Sequence, residues 1–367
     1  MRISPDGTVH APSSGTFDVA IAPGSNVQDG VDACPPGGSV LLLPGTHLGP
    51  LMLGADKEVH VFGRGRATLQ TAEGCVVTST APVATLDGLV IRREAAAEGV
   101  QEAVGATVRI HDGGVRLQAC DITNVAEGNP MVHYCVEVYN AQPTLVGCNI
   151  HDGKDEGVFM EGGSVRLEDC TIARMKYSGV LNSMDGDVVL IGCNIAQNGR
   201  AGVFVNGLEG TTRLTRCVIH DGLARGVWIR YCERVTLDCC DVYSNAFENV
   251  MITGGGRVKM SDCAVRDGQA GGVVVKGDGS SARLRRCALA GNRGGGVVTL
   301  CGGAAVLASC SLCDHPVGGV VVMTDSAVTV GEDCTFARNA EGDVVHRERE
   351  AQEDDDDSEL DFEFPGQ

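Results

Sequence analysis

The segment Val165-Arg-Leu-Glu-Asp-Cys170-Thr-Ile-Ala-Arg-Met-Lys-Tyr-Ser-Gly179-Val-Leu-Asn182 decides the fold of this 367-residue chain. Its pattern of residue types returns in the next segment, Val188-Val-Leu-Ile-Gly-Cys193-Asn-Ile-Ala-Gln-Asn-Gly-Arg-Ala-Gly202-Val-Phe-Val205. Ten cysteines mark the same place in successive copies, 22 to 24 residues apart except for a first gap of 28: Cys120, Cys148, Cys170, Cys193, Cys217, Cys240, Cys263, Cys287, Cys310 and Cys334. An internal period of this length is typical of stacked structural repeats.

Each copy contains three short segments with the period-two alternation of a β-strand. The first ends before the cysteine, as in Val165-x-Leu167, and the second follows it, where Ile172 stands two residues after Cys170. The third opens with a Gly-Val pair nine residues after the cysteine, as in Gly179-Val180. Three strands per copy predict an all-β fold, a right-handed parallel β-helix with coils of about 23 residues.

The repeat and its flanking segments divide the chain into three predicted parts. These are an N-terminal extension over residues 1–25, the β-helix over residues 26–346, and a disordered acidic tail over residues 347–367. Residues 26–34 are predicted to form a helix that caps the first coil, because Val27, Val31 and Cys34 share one helical face. Insertions into the repeat are predicted at residues 92–104 and 124–134.

The turn after the second strand has a recurring composition. Its marked position carries Asn198, Asn245, Asn292 and Asn339 in four copies and Gly153, Gly222 and Gly268 in three others. Asparagine and glycine are the residues that adopt a left-handed backbone at least cost. We therefore expect a left-handed or otherwise restricted conformation at this position.

Composition and charge limit the location and the partners of the protein. The net charge is −19, and twelve acids in residues 341–367 face only Arg347 and Arg349 there, which argues against a nucleic-acid partner. The N-terminal residues are polar, and the apolar run Val40–Leu43 is too short to enter a membrane. We read the 17 cysteines as reduced core thiols. The prediction is a cytoplasmic or nuclear protein, not secreted, with no membrane partner.

Two coils resemble a known family. Ile219-His-Asp-Gly-Leu-Ala-Arg-Gly-Val-Trp-Ile229 and Val265-Arg-Asp-Gly-Gln-Ala-Gly-Gly-Val-Val-Val275 resemble the β-helix repeats (pectin-lyase-like, CASH-type) of the F-box-only proteins. The resemblance covers roughly residues 105–345 and implies a domain that presents substrates to a ubiquitin ligase. No F-box-like segment precedes the β-helix here, so an adaptor would have to be recruited through another subunit.

Motifs that suggest catalysis or metal binding have structural explanations that we favour. Arg257-Val-Lys259 resembles the Arg-x-Lys of polygalacturonases, but a match of three residues is weak. His151-Asp-Gly and His220-Asp-Gly fall at the turn after the cysteine strand, where turn geometry explains them. Cys313 should point away from the core because Cys310 and Leu312 point into it, which argues against a zinc site with Cys301 and His315. No catalytic residue, cofactor or metal is therefore predicted.

The third strand of each coil shows the most informative anomaly. In Gly-Val-x-Val the two valines should face inward, so that the residue x faces outward. The eight outward residues are all apolar: Phe159, Leu181, Phe204, Trp228, Met251, Val274, Val298 and Val321. An exposed stripe of this size is expected to be a binding face, unless other parts of the chain cover it. We call these eight residues the apolar stripe.

The stripe favours a non-enzymatic protein-interaction scaffold or substrate-recognition module that binds a protein partner or a second copy through the stripe. One alternative is a carbohydrate-active enzyme on the pectin-lyase-like fold, a lyase, hydrolase or epimerase. Its sign would be a groove with clustered Asp, Arg or Lys beside the strands, and the sequence reveals no such cluster. A second alternative is a ubiquitin-ligase adaptor without its own F-box.

Overall fold

The structure is a computed structural model that describes residues 2–3, 9–10, 17–95, 105–126 and 133–348. Residues 349–367 of the predicted acidic tail lie outside these residues, as do most of both predicted insertions. Near the N-terminus, Arg2–Ile3 and Val9–His10 form a short antiparallel pair. From Val19 to Arg347 the chain winds through three parallel sheets in a fixed order, and we number the sheets 1, 2 and 3 in that order.

The strands of each sheet come from successive coils and lie in chain order. Sheet 1 contains Val19–Ile21, Gly38–Leu42, the first halves of Glu58–Thr71 and Val83–Arg93, Val115–Gln118, Thr144–Val146, Ser164–Glu168, Asp187–Ile191, Thr212–Thr215, Val235–Asp238, Arg257–Ser261, Ser281–Arg285, Ala304–Ala308 and Ala327–Val330. Sheet 2 contains Gly45–Leu48, the second halves of Glu58–Thr71 and Val83–Arg93, Asp121–Asn124, Asn149–His151, Thr171–Ala173, Asn194–Ala196, Val218–His220, Asp241–Tyr243, Ala264–Arg266, Ala288–Ala290, Ser311–Cys313 and Thr335–Ala337. Sheet 3 contains Leu51–Leu53, Val77–Ser79, Val108–His111, Val136–Tyr139, Val158–Glu161, Val180–Asn182, Ala201–Asn206, Arg225–Arg230, Val250–Thr253, Val273–Lys276, Val297–Leu300, Val320–Met323 and Val344–Arg347.

The coils stack in register, so that each residue lies beside its counterpart in the next coil. In sheet 1, for example, Val165 pairs with Val188 and Leu167 with Leu190. The inward residues of all three sheets form one continuous buried core. The predicted parallel β-helix with three short strands per coil is therefore confirmed. The strand Val19–Ile21 already pairs with Gly38–Leu42, so the first strand of sheet 1 comes from the segment predicted as an N-terminal extension.

The left-handed residues at the turn after sheet 2 stand one position earlier than predicted. They are Asp152, Arg174, Gln197, Asp221, Ser244, Asp267, Gly291, Asp314 and Arg338, with φ between 52° and 62°. Asn198, Asn245 and Asn292 follow such a residue and do not have a positive φ themselves. The prediction was wrong by one residue because the left-handed residue turns the chain so that the next side chain points inward. The asparagines are therefore selected for their side chains.

Those asparagine amides satisfy backbone groups inside the turn. The Oδ1 atom of Asn292 accepts hydrogen bonds from the Gly268 N–H at 3.0 Å and from Nδ2 of Asn249 at 2.9 Å. Its Nδ2 atom donates to the Val265 carbonyl oxygen at 3.0 Å. Asn292 is fully buried, and water cannot replace it as a hydrogen-bond partner for these groups. The column of buried amides therefore fixes the turn between sheets 2 and 3.

The repeated cysteines form a second column, at the corner between sheets 1 and 2. The thiol of Cys170 donates to the carbonyl oxygens of Glu168 at 3.3 Å and Leu145 at 3.5 Å. Hydrogen bonding to the thiol of Cys148, together with burial, raises the pKa of Cys170 to about 12. Nine of the ten repeat cysteines are buried, and Cys334 in the last coils is half-buried. The repeat thiols pack as small apolar side chains.

A short helix closes the N-terminal end of the core. It runs over Val27–Ala33, and the side chain of Asn26 caps it by accepting a hydrogen bond from the Gln28 N–H at 2.9 Å. Val27, Val31 and Cys34 are buried against the first coils, as predicted. In the described ranges no helix has the length and apolar character needed to span a membrane.

Replacing Asn292 by Ala should destabilise the fold, because it leaves buried donors of the turn without acceptors. Each such group costs about 1–3 kcal/mol, and the loss should appear as a lower urea midpoint with an unchanged m-value. Asn339→Ala is the matched control, since Asn339 occupies the same column in a half-buried position near the last strand. An equal loss of stability in both variants would contradict the role assigned to burial.

Candidate functional site

The apolar stripe lies on the outer face of sheet 3, as predicted, but it is not an exposed patch. Phe204, Trp228, Met251 and Val274 form a small hydrophobic cluster separate from the main core, and Trp228 is only 6% exposed. Phe159 and Val321 are also buried, while Leu181 and Val298 are partly exposed. The expected exposure of the stripe is therefore corrected.

Two kinds of contact cover the stripe. Its members bury one another along the sheet, as when the rings of Phe204 and Trp228 stack with centroids 4.3 Å apart. Two arginine side chains, from the turn before one strand of sheet 3 and from the first residue of the next strand, then lie over the rings. The guanidinium of Arg200 is 4.8 Å from the Phe204 ring centroid, and that of Arg225 is 4.7 Å from the Trp228 centroid. At the other end of the stripe, Tyr134 stacks on Phe159 at 4.4 Å.

Replacing Trp228 by Ala should therefore destabilise the protein. The variant loses the Phe204 stack, the contact with Arg225 and the hydrogen bond from Nε1 to Oγ1 of Thr253 at 3.3 Å. We expect a loss toward the lower end of about 3–5 kcal/mol in the free energy of unfolding, measured by urea denaturation. The control is Val306→Ala, an outward strand residue that is 43% exposed, for which the change should stay within about 0.5 kcal/mol. A loss in the Trp228 variant no larger than the control's would restore the exposed-stripe interpretation.

A pair of buried carboxyl groups lies in the turn before sheet 3, next to the stripe. Asp155 and Glu156 are 4% and 5% exposed, and their side chains hydrogen bond to each other. Burial, followed by the hydrogen bond and the charge of Asp155, raises the pKa of Glu156 well above its ordinary value, although Arg200 acts in the opposite direction. Oδ2 of Asp155 also accepts a hydrogen bond from the His133 N–H at 3.2 Å. Glu156 therefore keeps its proton to a higher pH than an exposed glutamate does.

This proton gives the stability of the protein a defined pH dependence. Above an ordinary glutamate pKa of 4.5 the folded state keeps a proton on Glu156 that the unfolded state has lost. The free energy of unfolding should then fall as the pH rises from that value towards the raised pKa of the folded state. Glu156→Gln should reduce this fall, because a neutral amide donates to Asp155 at every pH.

Urea midpoints measured at about pH 5 and about pH 8 test the pH dependence. Glu209→Gln, at an exposed turn residue, serves as the control and should keep the wild-type pH dependence. If Glu156→Gln and wild type lost the same stability between these two pH values, the proton on Glu156 would not be its cause.

A groove on the outer face of sheet 1 brings together five cations and one acid. It has a volume of about 570 Å³ and crosses four consecutive strands, which begin at Thr212, Val235, Arg257 and Ser281. Its cations are Arg213, Arg234, Arg257, Lys259 and Arg283, and all five are exposed. We call this feature the basic groove.

The register of sheet 1 creates the basic groove. Arg213, Thr236, Lys259 and Arg283 are direct neighbours in one outward column. Two residues before them, the adjacent column carries Thr211, Arg234, Arg257 and Ser281. Each of the four coils thus supplies at least one cation, and coils are about 4.8 Å apart. Hydroxyl groups fill the remaining positions.

Few acids neutralise these cations. Glu233 is the one carboxylate among the groove's described lining residues, and its Oε2 atom is 3.4 Å from an Nη atom of Arg257. Both partners are about half exposed, so this contact is weak. Within the described ranges no carboxylate forms an ion pair with Arg213, Arg234, Lys259 or Arg283. The groove is therefore suited to an anionic ligand.

The sequence interpretation missed this cluster, although it noticed part of it. The Arg257-x-Lys259 pair lies at the centre of the basic groove, whereas the other cations stand more than twenty residues away in the chain on either side. Aligning the repeats by strand position would have brought the cations together. The predicted absence of clustered cations beside the strands was wrong, because it treated distance along the chain as distance in space.

The other chemical motifs lie in structural positions. His151 and His220 end strands of sheet 2, and the aspartates that follow them, Asp152 and Asp221, are left-handed turn residues with φ of 54° and 52°. Each imidazole bonds to the carboxylate that follows it. Cys310 points into the core and Cys313 is half-exposed, as predicted from their spacing. These residues do not converge on one point.

Comparison with known proteins assigns the family. The family model described as "Right handed beta helix region" matches residues 106–235 and 208–352. The chain belongs to the right-handed β-helix family. No curated protein matches this β-helix protein in sequence. The finer resemblance to the F-box-only proteins remains a prediction.

Solved structures share the fold at low identity. A double mutant of the periplasmic alginate epimerase AlgG is 11% identical, with a TM-score of 0.59, over 89% of this chain and 85% of that one. The A-module of the Azotobacter vinelandii mannuronan C-5 epimerase AlgE4 is 13% identical, with a TM-score of 0.52, over 91% and 100%. The Dettilon tailspike protein is 12% identical, with a TM-score of 0.54, over 87% and 68%. At these identities the likeness extends to the fold alone.

Proposed function

We propose that this β-helix protein is a non-enzymatic binding scaffold that holds an acidic polysaccharide along the basic groove. The observation that carries the proposal is the presence of at least one cation in each of four consecutive coils, with a single weakly paired acid among them. An extended chain of uronate sugars carries one carboxylate per unit, and each unit advances by roughly the rise of one coil. Such a polymer can meet the cations in succession.

The polar groups beside the cations favour a sugar polymer. Thr211, Thr236 and Ser281 line the groove and offer hydroxyl groups that can exchange hydrogen bonds with sugar hydroxyls. The alginate epimerases that share the fold are named for a polyuronate, and this supports the same ligand class here. Duplex DNA fits less well, because it carries one negative charge per about 1.7 Å of its axis, much denser than the cations of the groove, which stand about 4.8 Å apart from coil to coil.

The residues of the groove favour binding over hydrolysis. Glycoside hydrolysis usually requires two carboxyl groups on opposite sides of the scissile bond. The described lining residues include only Glu233 as a carboxylate and no histidine or tyrosine to serve as a general acid or base. Glu233 itself contacts Arg257, an arrangement that orients a cation.

Partner binding through the apolar stripe remains a hypothesis of its own. A protein partner or a second copy would have to displace Arg200 and Arg225 from the rings or bind to the partly exposed Leu181 and Val298. The ubiquitin-ligase adaptor role and the cytoplasmic or nuclear location also remain predictions. The basic groove, which needs no rearrangement to accept a ligand, is the stronger basis for a function.

Reversing two charges of the basic groove should weaken binding of a uronate oligosaccharide long enough to span four coils. We expect Lys259→Glu combined with Arg283→Glu to lower the affinity at least tenfold, which corresponds to about 1.4 kcal/mol. Isothermal titration calorimetry on the full chain measures the change, and wild-type affinity should fall as salt is added. A neutral glucan oligosaccharide of the same length should not bind.

The control for the groove variant is Arg66→Glu combined with Arg293→Glu. These exposed arginines lie outside the groove, and their replacement changes the net charge by the same amount. Wild-type affinity in this control, together with the loss in the groove variant, would support the proposal. An equal loss in both variants would reduce the effect to net charge, and an unchanged groove variant would refute the site.

A further inference from the structure

The basic groove and the acidic C-terminal run have complementary charges within one chain. Residues 353–357 are five consecutive acids, Glu353-Asp-Asp-Asp-Asp357, and they lie outside the described residues. The groove presents five cations, of which only Arg257 has a carboxylate partner among the groove's described lining residues. Five negative charges thus follow the β-helix in the chain, and five positive charges lie on its surface.

The last described strand directs the chain towards the groove. Val344–Arg347 belongs to sheet 3, and in every preceding coil the chain passes from sheet 3 to sheet 1. Arg347 therefore lies at the corner that leads to sheet 1. Sheet 1 ends with Ala327–Val330, and its next strands back are Ala304–Ala308, Ser281–Arg285 and Arg257–Ser261.

The length of the chain after Arg347 is sufficient for contact. The corner after Arg347 lies one coil beyond Ala327–Val330, the last strand of sheet 1. It is therefore about four coils from Lys259, or about 19 Å along the axis at 4.8 Å per coil. Asp357 is ten residues beyond Arg347. Ten extended residues span at most about 33–36 Å, so the acidic run can reach the whole groove from Arg283 to Arg213.

We propose that residues 353–357 bind in the basic groove of their own chain and compete there with the polysaccharide. The carboxylates of the run are of the same chemical class as those of a uronate polymer, and the tether raises their local concentration at the groove. This inference rests on the proposed function for its consequence, which is regulation of ligand access. The contact itself rests on charge and reach alone. Increasing salt weakens both the contact and the competition.

Zero-length carbodiimide coupling tests the contact on the full chain. The reagent joins a carboxylate to a lysine amine in direct contact, with formation of an amide and loss of water to the reagent. Lys259 is one of only five lysines in the sequence and the only one that lines the groove. We expect peptide mass spectrometry to find an amide between Lys259 and one of residues 353–357. Lys259→Arg keeps the charge and removes the amine, so this product should disappear.

The source of the acidic run is tested in the same experiment. Mixing isotope-labelled and unlabelled protein before coupling distinguishes a tail bound to its own chain from one bound to a second copy. Products within one isotope class support the proposal. Mixed-isotope products overturn it in favour of exchange between copies, and coupling of Lys259 only to other carboxylates, or not at all, overturns it as well.

Competition is measured by neutralising the run in the full chain. Replacing Glu353 by Gln and Asp354 to Asp357 by Asn should raise the affinity for the uronate oligosaccharide at least threefold at low salt, and the difference should vanish at high salt. The charge-matched control converts five exposed acids of the body to amides and should change the affinity less. Its substitutions are at Asp29, Asp56, Glu73, Asp325 and Glu332.

The possible failures of the two proposals are distinguishable. If no variant binds the oligosaccharide, the proposed function fails, while the coupling product still decides whether the run occupies the groove. If wild type, the neutralised-run variant and the body control bind with equal affinity while the groove variant loses affinity, the proposed function stands and the competition is refuted. An equal gain in the neutralised-run variant and in the body control would also refute it, because the effect would then be one of net charge.

Discussion

The parallel, in-register stacking of coils is the constraint on which the rest of the structure depends. Backbone hydrogen bonds between coils hold each residue beside its counterpart, about 4.8 Å away, from the first strands to the last. Side chains at the same position of successive coils therefore form a column. A column is stable if its members attract one another, or if neighbouring groups supply the hydrogen bonds or opposite charges that its members need. This rule distinguishes the structural parts of the surface from the candidate site.

Inside the helix the rule favours residues that pack or hydrogen bond with their own kind. The valine, leucine and cysteine columns pack by apolar contact, and the asparagine column bonds to the backbone of adjacent turns. On the surface, several stacked positions pair opposite charges. Arg174 lies beside Asp152 in the same left-handed column, and its hydrogen bond lowers the pKa of Asp152 to about 2. Arg286 pairs in the same way with Asp262, and Arg338 with Asp314.

The sequence was sufficient for the fold because the repeat is visible in it. The cysteine spacing, the Gly-Val pairs and the capping helix each depend on contacts within one coil or between adjacent coils. The outward direction of the apolar stripe was predictable for the same reason. Its burial was not, because the cover comes from side chains such as those of Arg200 and Arg225, whose positions depend on tertiary packing. The left-handed position was misplaced by one residue because asparagine has both a backbone preference and a side-chain function.

In the basic groove, stacking places cations beside one another with few acids to offset their repulsion. This distinguishes the groove from the apolar stripe. Stacked apolar residues attract one another, so the stripe covers itself and needs no ligand. Stacked cations repel, by about 1 kcal/mol for each pair of unit charges 4.8 Å apart in water. At Arg174, Arg286 and Arg338 an acid in the adjacent coil offsets the charge. Across four coils of sheet 1 the cations of the groove have hydroxyl residues and further cations as neighbours, with Glu233 as the one acid in the lining. A bound polyanion would place a negative charge beside the cations of each coil and so remove their mutual repulsion. The basic groove is therefore the part of this surface where binding of an anionic ligand is most favourable.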